Sequence, residues 1–178
     1  MNGFEAGSDR PILTTARLTF RPFTPQDRPL LEELHRDPEV GRYMGGVWPD
    51  ARIAEALEAF IADQAEFGHS KWVARLHDGT FVGRAGISPW EPTGELELGY
   101  VLKPDYWGQG LATEAARAVA DWTFANTDVD HIIAFTDPQN FGSQRVLERI
   151  GMTRLADRDM GFEVPSAYFE MKRPSSLP

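Results

Sequence analysis

The most informative run of this sequence is Tyr106-Trp107-Gly108-Gln109-Gly110-Leu111-Ala112-Thr113-Glu114-Ala115. Two glycines interrupt an extended segment and lead into an alanine-rich helix. Glycine lets backbone N–H groups approach a ligand without a Cβ in the way, and the first turn of a helix has N–H groups without partners. Because the helix dipole adds partial positive charge at that end, this order of strand, Gly-x-Gly and helix predicts a seat for a phosphate or pyrophosphate.

Three kinds of phosphate ligand compete for this loop. A P-loop needs Gly-x-x-x-x-Gly-Lys-Ser/Thr, and the chain has no such run. A dinucleotide fingerprint needs Gly-x-Gly-x-x-Gly/Ala, and the run from Gly108 fails at Thr113, although Asp137 ends the next strand as a ribose-binding acid would. Coenzyme A is the third candidate, since its pyrophosphate would sit on the same backbone amides.

Length and composition narrow the class of protein. A chain of 178 residues suits one domain with a hydrophobic core, and its net charge of −9 argues against general binding to nucleic acids or anionic membranes. Cysteine is absent and the four histidines are scattered, so we expect no disulfide, no cysteine nucleophile and no metal site. No apolar run approaches the roughly 20 residues of a membrane span, and the N-terminus lacks a secretory signal, which is compatible with the cytoplasm.

Hydrophobic periodicity predicts a mixed α/β layer arrangement in a single domain. We expect a flexible N-terminal tail over residues 1–10, one domain over residues 11–174 and a C-terminal tail over residues 175–178. The predicted strands are Leu13–Phe23, Lys71–Leu76, Phe81–Trp90, Glu95–Leu102, His131–Thr136, Met152–Leu155 and Ala167–Lys172. The predicted helices follow Thr24-Pro25, run from Asp37 to near Gly45-Gly46, and cover Asp50–Phe67, the segment from the glycine loop to Asn126, and Phe141–Ile150.

A second signature follows the next strand, and it distinguishes between the phosphate ligands. The run Asp137-Pro138-Gln139-Asn140-Phe141-Gly142-Ser143-Gln144-Arg145-Val146-Leu147-Glu148-Arg149-Ile150-Gly151-Met152 resembles the second conserved block of the GNAT acetyltransferases. The first block of that family resembles Glu97-Leu98-Gly99-Tyr100-Val101-Leu102 followed by the glycine loop. Order and spacing match over roughly residues 12 to 173, and within the superfamily the chain looks most like the RimJ/RimL type. The resemblance implies a strongly twisted mixed sheet of about six to seven strands, with helices on both faces.

The resemblance also implies acetyl-CoA as co-substrate, held by residues of both blocks. The main chain of Tyr100, Val101 and Leu102 would pair with the pantetheine arm like an added strand. The Asn140 side chain would bond a pantetheine amide, and Ser143 would lie near the coenzyme thiol. The pyrophosphate would be held by the amides of Gly108, Gln109, Gly110, Leu111, Ala112 and Thr113, with the Thr113 hydroxyl as a further donor.

Two positions depart from the family pattern. The first position of the loop motif is usually Arg or Gln, and here it is Trp107, an aromatic residue that is familiar in the RimJ/RimL type. Many GNAT enzymes carry a tyrosine seven residues after the asparagine, as proton donor to the leaving thiolate, and here that position is Leu147. Ser143 is then the remaining candidate for this catalytic role.

Without cysteine, the simplest mechanism is direct attack of an amine on the thioester in a ternary complex. Glu97, on the strand that leads to the thioester, is the candidate general base, acting through water. The alternatives are Glu95 on the same face and Glu163 in the late loop, Asp157–Ser166. A backbone N–H at Val101 or Leu102 would stabilise the oxyanion.

The acceptor implied by the RimJ/RimL resemblance is a protein or peptide N-terminal α-amine. The alternatives are a small-molecule amine such as an antibiotic, polyamine or amino acid, or a catalytically silent acyl-CoA-binding module. We expect the segments Pro38–Trp48, Asp50–Phe67 and Asp157–Ser166 to shape the acceptor pocket, with Met44, Trp48, Trp90 and Phe162 as candidate lining residues. A homodimer is compatible with the resemblance, and the partners otherwise expected are small molecules or peptides rather than nucleic acid or membrane.

Overall fold

Eight strands form one mixed sheet in the order β1-β2-β3-β4-β5-β6-β8-β7 in a computed structural model that describes residues 10–175. The strands are β1 (Leu13–Thr14), β2 (Leu18–Pro22), β3 (Lys71–Leu76), β4 (Phe81–Trp90), β5 (Glu95–Leu102), β6 (His131–Thr136), β7 (Thr153–Arg154) and β8 (Ala167–Lys172). Every neighbouring pair is antiparallel except β5 and β6, which are parallel. The tails expected over residues 1–10 and 175–178 lie, for residues 1–9 and 176–178, outside the described residues.

Helices cover both faces of the sheet, as expected. They are α1 (Arg28–His35), α2 (Pro38–Gly41), α3 (Asp50–Phe67), α4 (Leu111–Asn126) and α5 (Phe141–Arg149). The core on one face joins α4 and α5 to the even-numbered residues of β5, such as Leu96 and Leu98. The core on the other face joins α1 and α3 to the sheet around Val73, beneath Leu31 and Ile53. Among the described residues, no helix is both long and apolar enough to cross a membrane.

The sheet has more strands than the six to seven expected, and part of the reason lies at its first edge. The single strand predicted over Leu13–Phe23 is broken, because the chain reverses at Thr15 and β1 pairs with β2 in antiparallel register. The second helix also ends earlier than predicted, at Gly41 rather than near Gly45-Gly46. The helix ends there because the chain folds back, and the N–H of Gly46 donates to the Gly41 carbonyl at 3.0 Å.

The divergence of β5 from β6 shapes the centre of the molecule. The two parallel strands register at Glu97 and Ile133. Beyond that point Tyr100, Val101 and Leu102 remain paired with β4, at Ala85, Arg84 and Gly83. The backbone groups of β5 that face β6 are therefore without a strand partner over the last three residues, and of these the Leu102 carbonyl accepts from the Trp107 indole.

Candidate active site

One cavity of about 660 Å³ lies where β5 separates from β6. It reaches the start of α4, the start of α5 and the segment around α2, so it joins both conserved blocks of the sequence. Ten of the predicted cofactor-binding residues line it: Tyr100, Val101, Leu102, Gly108, Gly110, Leu111, Ala112, Thr113, Asn140 and Ser143. Neither Gln109 nor Glu97 is among the described residues that line this cavity.

The glycine loop has the backbone geometry that the sequence predicted. Gly108 has φ of 71° and Gly110, the N-cap of α4, has φ of 78°, both in the left-handed region that favours glycine. Gln109 bends away from the cavity, since its Nε2 donates to the Asp105 carbonyl at 2.9 Å. Trp107 has a separate role, because its indole Nε1 donates to the Leu102 carbonyl at 2.8 Å and ties the loop to the end of β5.

A clamp from the first hairpin holds this loop, and the sequence reasoning missed it. Arg17 donates through Nη1 to the Gln109 carbonyl at 2.8 Å and through Nε to Glu114 Oε2 at 2.6 Å. The Thr15 hydroxyl donates to Glu114 Oε1 at 2.7 Å. Burial tends to raise the pKa of Glu114, but the hydrogen bonds from Thr15 and Arg17 outweigh it and the pKa is lowered. Glu114 is therefore held ionised in the first turn of α4, where negative charge is favoured.

Asn140 and Ser143 stand together at the start of α5. The Asn140 Oδ1 accepts a hydrogen bond from the Ser143 N–H at 3.1 Å, so the asparagine caps the helix. The Asn140 Nδ2 has no hydrogen-bond partner within residues 10–175 and remains available as a donor at the cavity wall. The cap fixes the side chain that the resemblance assigns to the pantetheine arm.

The hydroxyl of Tyr100 reaches across the opening between β5 and α5. It lies 2.9 Å from Ser143 Oγ and donates to the Ser143 carbonyl at 3.1 Å. Burial raises the pKa of Tyr100, while the hydrogen bond with Ser143 opposes the increase, so the phenol keeps its proton. The sequence reasoning considered only the main chain of Tyr100, because nothing local predicts a contact between residues 43 positions apart.

Glu97 is held by a buried lysine. The Lys71 Nζ donates to Glu97 Oε2 at 2.6 Å and to the Glu97 carbonyl at 2.7 Å, and the Lys71 side chain is 6% exposed. Gly99 leaves room for it, since a Cβ there would lie 3.0 Å from Lys71 Nζ. Burial lowers the pKa of Lys71, and Glu97 opposes this. Glu97 lies on the face of the sheet that carries α1 and α3, opposite to Tyr100.

Aromatic side chains of β4, β6 and the late loop meet on the same face as Glu97. Trp90, paired with Glu95, packs edge-on against Phe135 with ring centroids 4.7 Å apart, and Phe162 lies 6.5 and 6.0 Å from the two. In the sheet register Trp90 is paired with Glu95, two residues before Glu97, and Phe135 lies two residues after Ile133, the partner of Glu97. Of the other expected acceptor residues, Met44 lines the cavity.

Trp48 is not among the described residues that line the cavity. Its ring stacks on His35 with centroids 3.7 Å apart, and Arg52 lies 4.2 Å from the Trp48 ring centre on a neighbouring helix. Trp48 is 7% exposed, so its role is packing between α1 and α3.

Positive charge is concentrated on the cavity wall although the chain is acidic. Arg145 and Arg149, one helical turn apart on α5, line the cavity and have no ion-pair partner among residues 10–175. The Arg149 carbonyl also accepts from Arg117 of α4 at 2.6 Å, which brings a third guanidinium to the groove between these helices. Within the described residues, no group of three or more His, Cys, Asp or Glu side chains is placed to hold a metal.

Comparison with known proteins agrees with this arrangement. The family model described as acetyltransferase (GNAT) domain matches residues 17–153. The YkkB protein of Bacillus subtilis (strain 168) is 33% identical over 144 residues, covering 79% of this chain and 84% of YkkB. The FsC-acetyl coenzyme A-N(2)-transacetylase of Aspergillus fumigatus is 29% identical over 158 residues, covering 82% of this chain and 66% of that protein.

A solved structure shows the same fold. The acetyltransferase from Agrobacterium tumefaciens str. C58 superposes with a TM-score of 0.79 at 30% identity, covering 96% of this chain and 99% of the other. Its agreement extends over nearly the whole described chain, including the mixed sheet and both helical layers. The chain belongs to the GNAT acetyltransferase family and is an acetyl-CoA-dependent N-acetyltransferase.

Proposed function

We propose that this protein transfers the acetyl group of acetyl-CoA to a peptide or protein N-terminal α-amine. The observation that carries the cofactor placement is the single cavity that joins the start of α4, the open edge of β5 and the start of α5. In this placement the pyrophosphate lies on the amides of Gly108–Thr113, including Gln109, and the pantetheine arm pairs with Tyr100–Leu102. Asn140 donates to a pantetheine amide, and the thioester lies near Ser143.

The state of Glu97 favours an α-amine over a lysine-like amine. One oxygen of the Glu97 carboxylate already accepts a hydrogen bond from Lys71 Nζ at 2.6 Å, which leaves the other oxygen for water and the amine. Such a base suits an amine that is partly neutral near pH 7, and an α-amine has a pKa of about 8 whereas a lysine side chain has about 10.4. The α-amine therefore needs less help from Glu97, and this supports the RimJ/RimL-like assignment.

The mechanism is direct attack in a ternary complex. Water bound to Glu97 removes the proton from the amine as its nitrogen attacks the thioester carbonyl. Of the two expected oxyanion donors, Val101 and Leu102, the backbone N–H of Leu102 suits this role. The N–H of Lys103 donates to Val82 of β4, and successive N–H groups of a strand point to opposite edges, so that of Leu102 faces the open edge of β5. The carbon–sulfur bond then breaks, its electron pair stays on sulfur, and a hydrogen bond from Ser143 stabilises the thiolate.

A small-molecule amine is the second candidate acceptor. It is favoured by the relationship to the FsC-acetyl coenzyme A-N(2)-transacetylase, which spans most of this chain. The aromatic group of Trp90, Phe135 and Phe162, on the same face of the sheet as Glu97, would then pack against an apolar part of that acceptor.

The test is release of free CoA from acetyl-CoA with two panels of acceptors. One panel holds short peptides with free Ser, Ala or Thr N-termini, and the other holds polyamines, amino acids and aminoglycosides. We expect turnover with the peptides, reduced in Glu97→Gln and in Ser143→Ala. Turnover confined to the small amines would retain the chemistry and replace the acceptor. Peptide turnover that is unaffected in Glu97→Gln would remove Glu97 as the base.

A further inference from the structure

We infer that the Tyr100 side chain acts as a positioning residue for the leaving thiolate, by donating a hydrogen bond to Ser143 Oγ so that the Ser143 hydroxyl donates to sulfur. This inference rests on the proposed placement of the coenzyme thiol near Ser143. The position from which many family members supply a tyrosine is occupied by Leu147, which is 1% exposed and packed in the core. A tyrosine from another element, β5, lies at the cavity instead.

The geometry supports a chain of two hydroxyl groups. Tyr100 and Ser143 both line the cavity, and their oxygens are 2.9 Å apart, which is within the usual range for O–H···O bonds. A serine hydroxyl has one proton to donate, so it can serve sulfur only if it does not donate to its other neighbour. The single proton of the Tyr100 hydroxyl has two acceptors within reach, the Ser143 carbonyl at 3.1 Å and Ser143 Oγ at 2.9 Å. When the coenzyme is bound, Tyr100 gives this proton to Oγ, and the Ser143 proton is then free for sulfur.

The chemistry needs no proton from Tyr100. As the C–N bond forms and the C–S bond breaks, the electron pair goes to sulfur, the amine proton goes to water bound at Glu97, and sulfur later takes a proton from solvent. A thiol has an ordinary pKa of about 8.5, so the thiolate is a competent leaving group once a hydrogen bond stabilises it. Tyr100 polarises and orients Ser143 and keeps its own proton throughout. The chain would thus stabilise the leaving group without a separate general acid.

The contact also spans the opening between β5 and α5. The hydroxyl comes from the strand whose edge is open, and its partner is the third residue of the helix that Asn140 caps. The Asn140 cap fixes the Ser143 backbone, and Tyr100 fixes the Ser143 side chain. Both bonds would therefore place one hydroxyl at the end of the pantetheine channel before the coenzyme binds.

The test uses bound coenzyme and needs no acceptor. We would titrate the thiol of bound CoA by its ultraviolet thiolate absorbance, with the desulfo-CoA complex as blank, in wild type, Tyr100→Phe, Ser143→Ala and the double variant. The other titratable groups on the cavity wall (Glu39, Arg42, Tyr43, Tyr106, Arg145, Arg149) are the same in all four proteins. Tyr168→Phe is the matched control, since it removes a buried tyrosine hydroxyl that lies outside the cavity.

We expect the bound thiol to titrate about one pH unit higher in Ser143→Ala than in wild type, as loss of a hydrogen bond to a charged group implies. Tyr100→Phe should raise the midpoint of the thiol titration by about 0.3 pH unit, in keeping with cooperative strengthening along a hydrogen-bond chain. The double variant should match Ser143→Ala, because Tyr100 acts through Ser143. The control should match wild type.

Two results would overturn the inference: a Tyr100→Phe titration identical to wild type, or shifts of the two variants that add in the double variant. Thermal melting of each variant identifies loss of folding separately. The thiol titration does not depend on which amine is acetylated, so a wrong acceptor would leave this test intact. Conversely, a thiol titration in Ser143→Ala that matches wild type would remove the role of Ser143. Peptide turnover could still be measured in that case.

Discussion

The buried ammonium of Lys71 determines what Glu97 can do. The carboxylate and the ammonium lie 2.6 Å apart and Lys71 is 5% exposed, so neutralising Glu97 leaves a buried charge without its counter-ion. We predict that Glu97→Gln lowers kcat by about 10² to 10⁴-fold, the usual contribution of a general base. It should also cost roughly 3–5 kcal/mol of stability, because a buried charge loses its partner. The measurements are peptide-dependent release of CoA and denaturant unfolding.

Combining two substitutions separates the catalytic loss from the structural one. In Lys71→Met/Glu97→Gln no buried ammonium is left unpaired, so most of the lost unfolding free energy should return while kcat stays low. If activity returned together with stability, the effect of Glu97→Gln would be structural and another group would be the base. Arg84 would remain on the same face of the sheet in the double variant, because it pairs with Val101 in the register of β4 and β5. Burial lowers the pKa of Arg84 to about 10.

The unpaired arginines of α5 lead to a second residue-scale prediction. Arg145→Gln and Arg149→Gln should each raise the KM for acetyl-CoA by about 10 to 100-fold, since a charge-assisted hydrogen bond to a phosphate contributes roughly 1.5–3 kcal/mol. Because the contact is electrostatic, the difference from wild type should shrink at high ionic strength. Arg75→Gln is the control, since Arg75 lies on the β3–β4 hairpin outside the cavity. A KM that responds equally in all three variants would contradict a specific role for α5.

At the scale of elements, the start of α4 depends on glycine backbone geometry. Gly110 has φ of 78° and is the N-cap of the helix, and the nearest atom to an added Cβ would be Arg17 Nη2 at 3.5 Å. Space is therefore adequate, and the cost of Gly110→Ala comes from the left-handed backbone, about 1–2 kcal/mol. We predict that this strain is relieved by a shift of the loop amides, which raises the KM for acetyl-CoA.

A second glycine gives the matched control. Gly94 in the β4–β5 turn has φ of 74° and open space around its missing Cβ, so Gly94→Ala carries the same backbone cost away from the cavity. Both variants should lose similar stability in denaturant unfolding, and only Gly110→Ala should bind acetyl-CoA more weakly in calorimetry. Equal binding by the two variants would show that the loop amides do not hold the coenzyme.

Much of the architecture was predictable because its signals are local. Strict alternation gave β5 its bounds, Glu95–Leu102, and helical spacing gave α3 its bounds, Asp50–Phe67. The reversal at Thr15 was missed because alternation continues on both sides of it and neither glycine nor proline marks the turn. Strand pairing, unlike strand identity, depends on contacts that are distant in sequence.

Side-chain partners in the site were less predictable for the same reason. The cavity contains ten of the expected cofactor residues, yet the partners of Glu97, Ser143 and the glycine loop come from β3, β5 and the β1–β2 turn. Lys71 appears in the sequence as an ordinary strand residue, and its burial becomes visible only when β4 brings Gly86 beneath it. Roles assigned to these residues by resemblance stay predictions until the variants above are measured.

At the scale of the whole molecule, one buried histidine links stability to pH. His35 is 1% exposed, its Nε2 accepts from Arg84 Nε at 3.0 Å, and its ring stacks on Trp48. Burial, followed by the charges of Arg84 and Arg52, lowers the pKa of His35 to about 2. The unfolded chain therefore binds a proton near pH 6.5 that the folded protein does not bind. Stability from this group is complete above pH 6.5 and is lost as the pH falls below it.

We predict that the unfolding free energy falls by up to about 1.4 kcal/mol per pH unit below pH 6.5 through His35 alone. His69, whose pKa burial also lowers, adds to this slope. His131 adds little well below pH 6.5, because its raised pKa keeps it protonated in the folded protein and the ordinary histidine pKa keeps it protonated in the unfolded chain. His35→Gln retains an acceptor for Arg84 and should flatten the slope measured by urea unfolding above the carboxyl range. An unchanged slope in His35→Gln would mean that His35 gains its proton without unfolding, and that the stacked layer of His35 and Trp48 opens first.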